Sequence, residues 1–172
     1  MSWGELIKRE VEHAYAVTDK LIDLVDDDKL NWKPSSGSNW MTTGQVLMHV
    51  TNACGSGFRG FVTGDWGLPE GMDVSKLTPE EILPPAEKLP SVGSVAEAKR
   101  LLAEDRQTAL EMLAKCREDE LANKITHAPW SPVTMVLGHY LLEMVDHLKS
   151  HKSQLFYYLK LQGKPVNTGN LW

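Results

Sequence analysis

Cysteine is scarce in this chain, while basic runs and long apolar stretches are missing altogether, and each absence removes a class of protein. Of 172 residues only 2 are cysteine, and Cys54 and Cys116 stand far apart in segments that read as helix. Neither a CxxC redox pair nor a cysteine-rich zinc cluster can be written, so both thiols are expected as small buried side chains in a reducing compartment. Lysine and arginine total 18 against 23 aspartates and glutamates, a formal charge of -5. With no basic run to neutralise phosphates, no nucleic-acid partner is expected. No segment approaches the roughly 18 unbroken apolar residues of a membrane helix. Residues 1–10 also lack the charged start and apolar run of a secretory signal, so the expected location is cytoplasmic, with no membrane partner. Ser-His-Asp order, a glycine-rich phosphate loop and HExxH are absent too, which leaves serine hydrolase, nucleotide-binding and zincin readings without support.

What is present is the composition of an ordinary globular protein, 42% hydrophobic and 24% charged. Residues 1–172 are expected to form a single domain that buries roughly two thirds of its unfolded surface without disulfide staples. Four long segments carry the helical period. Residues 3 to about 27 place Ile7, Val11, Ala14, Val17, Leu21, Leu24 and Val25 on one stripe, started by a Ser2/Glu5 capping box and ended by Asp26, Asp27 and Asp28, which repel the helix C-terminus. A turn-rich loop over 31–38 follows. Thr42 and Gln45 then open a second helix to about residue 61 through Val46, Leu47, Val50, Ala53 and Cys54, its far half weakened by Gly55, Gly57 and Gly60.

Residues 64–93 are broken by glycines and prolines, with one short helix expected at Thr78-Pro79-Glu80-Glu81. Such a crossover, carrying Trp66, Leu68, Met72, Leu77, Ile82 and Leu83, reads as a lid on the bundle. Ser94 and Glu97 begin a third helix to about Arg117, and Ser131-Pro132 a fourth that runs to Gly163 and Pro165. No strand pattern competes. The reading is all-α: a four-helix bundle with a long crossover between helices 2 and 3.

The chemistry lies in the 6 histidines. His147 and His151 stand at i and i+4, which stacks two imidazoles about 6 Å apart along one helix face. His151 continues the apolar stripe of Leu141, Met144, Leu148 and Leu155, so its ring points inward. Such a pair alone also fits a polar patch in a core seam. His49, among Val46, Val50 and Ala53 of the second helix, supplies a third inward ring. Three neutral imidazoles from two facing helices match the ligand set of a catalytic zinc or nickel ion and leave a position open. Glu143, one turn before His147, and Gln154, three residues after His151, are either solvated side chains or groups that orient the rings. His139 falls beside this face, His13 approaches the core from the first helix, and His127 is expected in solvent. Trp32 and Trp40 read as anchors of the first connection, and Trp66 as an anchor or a substrate wall.

Four pieces carry a resemblance that spans nearly the whole chain: Leu30-Asn31-Trp32-Lys33-Pro34, Trp40 through Val50, His147 through Leu155, and Tyr158 through Pro165. Together they resemble the DinB/YfiT-like superfamily. The resemblance implies an up-up-down-down bundle with metal held by His49, His147 and His151. It also implies homodimers and, where activity is assigned, thiol-dependent transferases using bacillithiol, mycothiol or glutathione, or related isomerases. The last motif departs from the frequent HxxHHRGQ at Ser150, Lys152 and Ser153, keeping the ligand spacing and the glutamine.

Two function classes follow. In one the protein is a divalent-metal-dependent thiol S-transferase or related small-molecule transferase or isomerase, with zinc or nickel and a low-molecular-weight thiol as cofactors. In the other it is a non-catalytic metal-binding or stress-associated interaction protein of the same fold.

Overall fold

Capping chemistry sets where most helices of the computed structural model begin. Ser2 Oγ accepts from the Glu5 N–H at 3.2 Å while a Glu5 carboxylate oxygen accepts from the Ser2 N–H at 2.9 Å, and α1 runs Trp3–Ile22. Thr42 and Gln45 make the same reciprocal pair ahead of α2, Thr43–Val50. α3 spans Gly55–Thr63, and the short α4, Pro79–Ile82, follows a Thr78/Glu81 box. Ser94 accepts from the Glu97 N–H to start α5, Val95–Ala114. α6, Glu118–Asn123, leads to β1, Ile125–Thr126, which pairs antiparallel with β2, Met135–Val136. α7 then runs Leu137–Leu161. The structure describes residues 1–69, 71–72 and 77–172; residues 70 and 73–76 of the expected crossover lie outside the described residues.

Packing follows the apolar stripes. α1 lies on α5 and α7, and α3 lies on the same two helices, with α2 against α7. α1 and α3 therefore face each other across one diagonal of the bundle, the arrangement of an up-up-down-down topology. One core joins Ile7, Val11 and Leu21 of α1, Val46, Leu47 and Phe58 of α2 and α3, Leu102 of α5, and Leu141, Leu148 and Leu155 of α7. Each such fully buried side chain contributes roughly 1.5–3 kcal/mol relative to leaving it in water. Gly57 allows a close approach: a Cβ there would stand 2.5 Å from Met144 Sδ on α7.

The structure corrects five expectations. α1 stops at Ile22 rather than near residue 27, because the aspartates beyond it serve other elements: Asp27 Oδ1 accepts from the Val95 N–H at 2.7 Å, capping α5, and Asp26 pairs with Lys164 at 2.6 Å. The second helix is two, broken over residues 51–54. A strand pair exists where none was expected, and it delays the fourth helix from residue 131 to Leu137, whose N–H goes to the Lys124 carbonyl at 2.8 Å. The third helix ends at Ala114 instead of near Arg117.

The end of the crossover is pinned to α2. The Gln45 amide NH2 donates to the carbonyls of Ala86 at 2.6 Å and Leu89 at 2.9 Å, and the Val92 N–H to that of Gly44 at 3.2 Å. No helix among the described residues is long and apolar enough to cross a membrane.

Candidate metal centre

α2 carries His49 near its C-terminal end, and α7 carries His147 and His151 one turn apart. Since these helices pack together, the three rings meet in the seam between them. Ring centroids stand 4.1 Å apart for His49 and His151, 4.9 Å for His147 and His151, and 5.1 Å for His49 and His147. One nitrogen from each ring lies within 4.8 Å of the other two, and the three side chains are half-buried. His49 Nε2 is 3.1 Å from His147 Nε2. A tetrahedral ion with ordinary zinc–nitrogen bonds spaces its ligand atoms by about 3.4 Å.

Hydrogen bonding decides which nitrogen is free in the two rings of α7. The Ala53 carbonyl can only accept, so His147 donates to it through Nδ1–H at 3.1 Å and keeps a lone pair on Nε2. His151 is fixed by a longer chain. Tyr158 donates its O–H to the Met41 carbonyl at 2.8 Å, and its oxygen accepts from the Gln154 amide NH2 at 3.3 Å. Gln154 then turns Oε1 toward His151, which donates through Nδ1–H at 3.0 Å and also keeps its lone pair on Nε2. His49 can give one proton to one of these acceptors at most. A cation satisfies all three nitrogens together, and the cluster can hold a metal ion.

The electrostatics agree with that chemistry. Burial first, then the charges of His151 and His147, hold His49 down at about 4 from an ordinary 6.5. Burial also pushes His151 below the usual imidazole value, with the Gln154 bond opposing it. Both rings are therefore uncharged at neutral pH and able to donate an electron pair.

Beside the triad lies a cavity of about 430 Å³, lined by His49 together with Met48, Asn52, Leu101 of α5, and Leu89 and Pro90 of the crossover. Of the crossover's described residues, these two line it; Trp66 does not. That ring packs edge-on against Phe61 and Trp130, at 4.8 and 4.9 Å, around a different cavity shared with His127. Trp32 and Trp40 set their edges against Tyr158 at 5.4 and 6.3 Å, anchoring the first connection over the residue that orients Gln154.

The remaining sequence candidates separate cleanly. Gln154 reaches His151, whereas Glu143 is exposed and lies 3.7 Å from His139 on the solvent side of α7. Of the two alternatives open for Glu143 its position is that of the solvated side chain, and His147 is oriented by the Ala53 carbonyl, which the helix break brings to the seam. His13 is exposed in a cleft with Arg9 and Lys149, and His127 is exposed. Sequence reasoning missed Asp105, a buried carboxylate on α5 that accepts from the Tyr15 O–H at 2.6 Å and from the N–H groups of Gly55 and Ser56 at 3.0 and 3.1 Å. Its signal was available: Asp105 interrupts the inward stripe of Ala98, Leu102, Ala109 and Met112.

Comparison with known proteins agrees with this architecture. A solved structure from Exiguobacterium sibiricum 255-15, described as a member of the DinB family, superposes with a TM-score of 0.64 at 22% identity, covering 99% of this chain and 98% of its own. A DinB-like protein from Bacillus cereus ATCC 10987 gives 0.68 at 18% identity, over 95% of each chain. No curated protein matches the sequence. The model of the DinB superfamily matches residues 10–155, and the chain belongs to that superfamily.

Proposed function

We propose that His49, His147 and His151 hold one divalent ion, zinc or nickel, and that the protein uses it as a thiol-dependent S-transferase or a related small-molecule transferase or isomerase. The observation that carries this reading is the pair of Nε2 lone pairs on His147 and His151, each fixed by a hydrogen bond on the far side of its ring and turned to one point beside His49. A bound divalent ion supplies Lewis acidity, which makes a thiol or a water nucleophilic at neutral pH. The chain's own residues bind and exclude. His147 and His151 hold the α7 side of the site, while His49 lines the cavity where a substrate is accommodated. Met48, Leu89, Pro90 and Leu101 present apolar surface there, and Asn52 offers an amide to orient a polar substrate group. In solution the protein is proposed to be a homodimer, as the family resemblance implies.

Elemental analysis of purified protein tests the centre. About one zinc or nickel per chain is expected, lost in His49→Ala, His147→Ala and His151→Ala and kept in the exposed-residue control His127→Ala. Equal content in all four variants would remove the site. Turnover of model electrophiles by metal-loaded protein with bacillithiol, mycothiol or glutathione tests the reaction. Full occupancy without turnover with any thiol would favour a non-catalytic metal-binding protein.

A further inference from the structure

We infer that Asp105, on a helix that supplies no metal ligand, is a positioning residue for His147 and acts through the break between α2 and α3. The inference rests on the metal-centre reading for its effect on affinity, but not for its effect on the ring itself. Asp105 is 7% exposed. Its Oδ2 accepts from the Tyr15 O–H and from the Gly55 N–H, with the Cys54 N–H at 3.4 Å, and its Oδ1 accepts from the Ser56 N–H. These backbone donors belong to the first turn of α3, where no preceding turn can satisfy them. A carboxylate from another helix does here what a local cap does elsewhere, at the positive end of the helix dipole.

The consequence falls on the preceding residue. Were residues 43–63 one continuous helix, the Ala53 carbonyl would be taken by the N–H four residues on, that of Gly57. With α3 restarted on Asp105, that carbonyl turns out of the helical register and accepts from His147 Nδ1–H at 3.1 Å. Asp105 thereby determines, through one peptide unit, that the lone pair of His147 sits on Nε2. The joint is built to fit. A Cβ on residue 55 would stand 2.2 Å from the Asp105 carbonyl oxygen and 2.5 Å from Oδ1, so only glycine lets the start of α3 close on α5.

The test reads the ring directly. Metal-free protein labelled with ¹⁵N-histidine is examined by NMR at neutral pH as wild type, Asp105→Asn and Gly55→Ala, with Leu121→Ala as a core variant distant in sequence from the joint. In wild type, His147 should be the Nδ1–H tautomer. Both joint variants should move it toward Nε2–H, while His151, held by Gln154, stays unchanged and Leu121→Ala moves neither ring. Zinc affinity, read by chelator competition, should fall about tenfold to a hundredfold in the joint variants and not in Leu121→Ala. If Asp105→Asn does not fold, Gly55→Ala and the milder Tyr15→Phe decide, since each loosens the same carboxylate. An unchanged His147 tautomer in the folded joint variants overturns the inference even where zinc binds. A tautomer that responds in a protein without zinc affinity leaves the positioning role standing and removes the metal centre.

Discussion

At His49, burial and two neighbouring imidazoles act in the same direction, and the ring sits at about 4 against an ordinary 6.5. In metal-free protein the unfolded chain takes up a proton at this residue as pH falls through 6.5, whereas the folded chain does so only near 4. The stability present at neutral pH is therefore lost progressively across that window. Urea midpoints of metal-free protein should drop further between about pH 7 and about pH 4.5 for wild type than for His49→Gln, which has no proton to take up. Equal drops would show that His49 is not held uncharged by the fold. At this scale the three clustered histidines were legible because spacing alone puts His147 and His151 on one face and an inward position accounts for His49. The groups that aim them were less so. The Ala53 carbonyl has no letter in the sequence, and Asp105 announces itself only as a carboxylate inside an apolar stripe, without naming its partners.

Helix starts were legible wherever a side chain caps its own helix, as at Ser2, Thr42 and Ser94. Boundaries imposed from elsewhere in the fold were not: α3 begins where Asp105 of α5 reaches it, and α7 begins where β2 has finished pairing with β1. The same distinction sharpens the role of the crossover. Its pinned end, held by Gln45 at Ala86 and Leu89, is what faces the cavity beside His49. Leu89→Ala should change the affinity of cobalt-substituted protein for an imidazole probe by roughly tenfold, about 1.4 kcal/mol, with metal content unaltered. Replacing residues 67–84 by a glycine-serine linker, which spares the pinned end, should leave that affinity within a factor of about two. Reversal of these two results would assign the wall of the cavity to the earlier part of the crossover.

For the whole molecule, the bundle class followed from four apolar stripes and one long connection, while its diagonal pairing needed the packing of α1 and α3 on the same two helices. The proposed homodimer is a property of this scale as well: light scattering at micromolar concentration should return twice the chain mass, and a single chain mass would overturn it. One feature of the seam reaches into how the protein is made. His49 and His147 touch across 98 positions of chain, so the first of the three imidazoles is synthesised long before the other two and waits without partners until α7 docks. An ion held there joins early and late parts of the polypeptide like a rivet set after both plates are in place. Bound metal would then add to the free energy of parting α7 from α2, so that filling the centre should make the opening of the folded chain rarer.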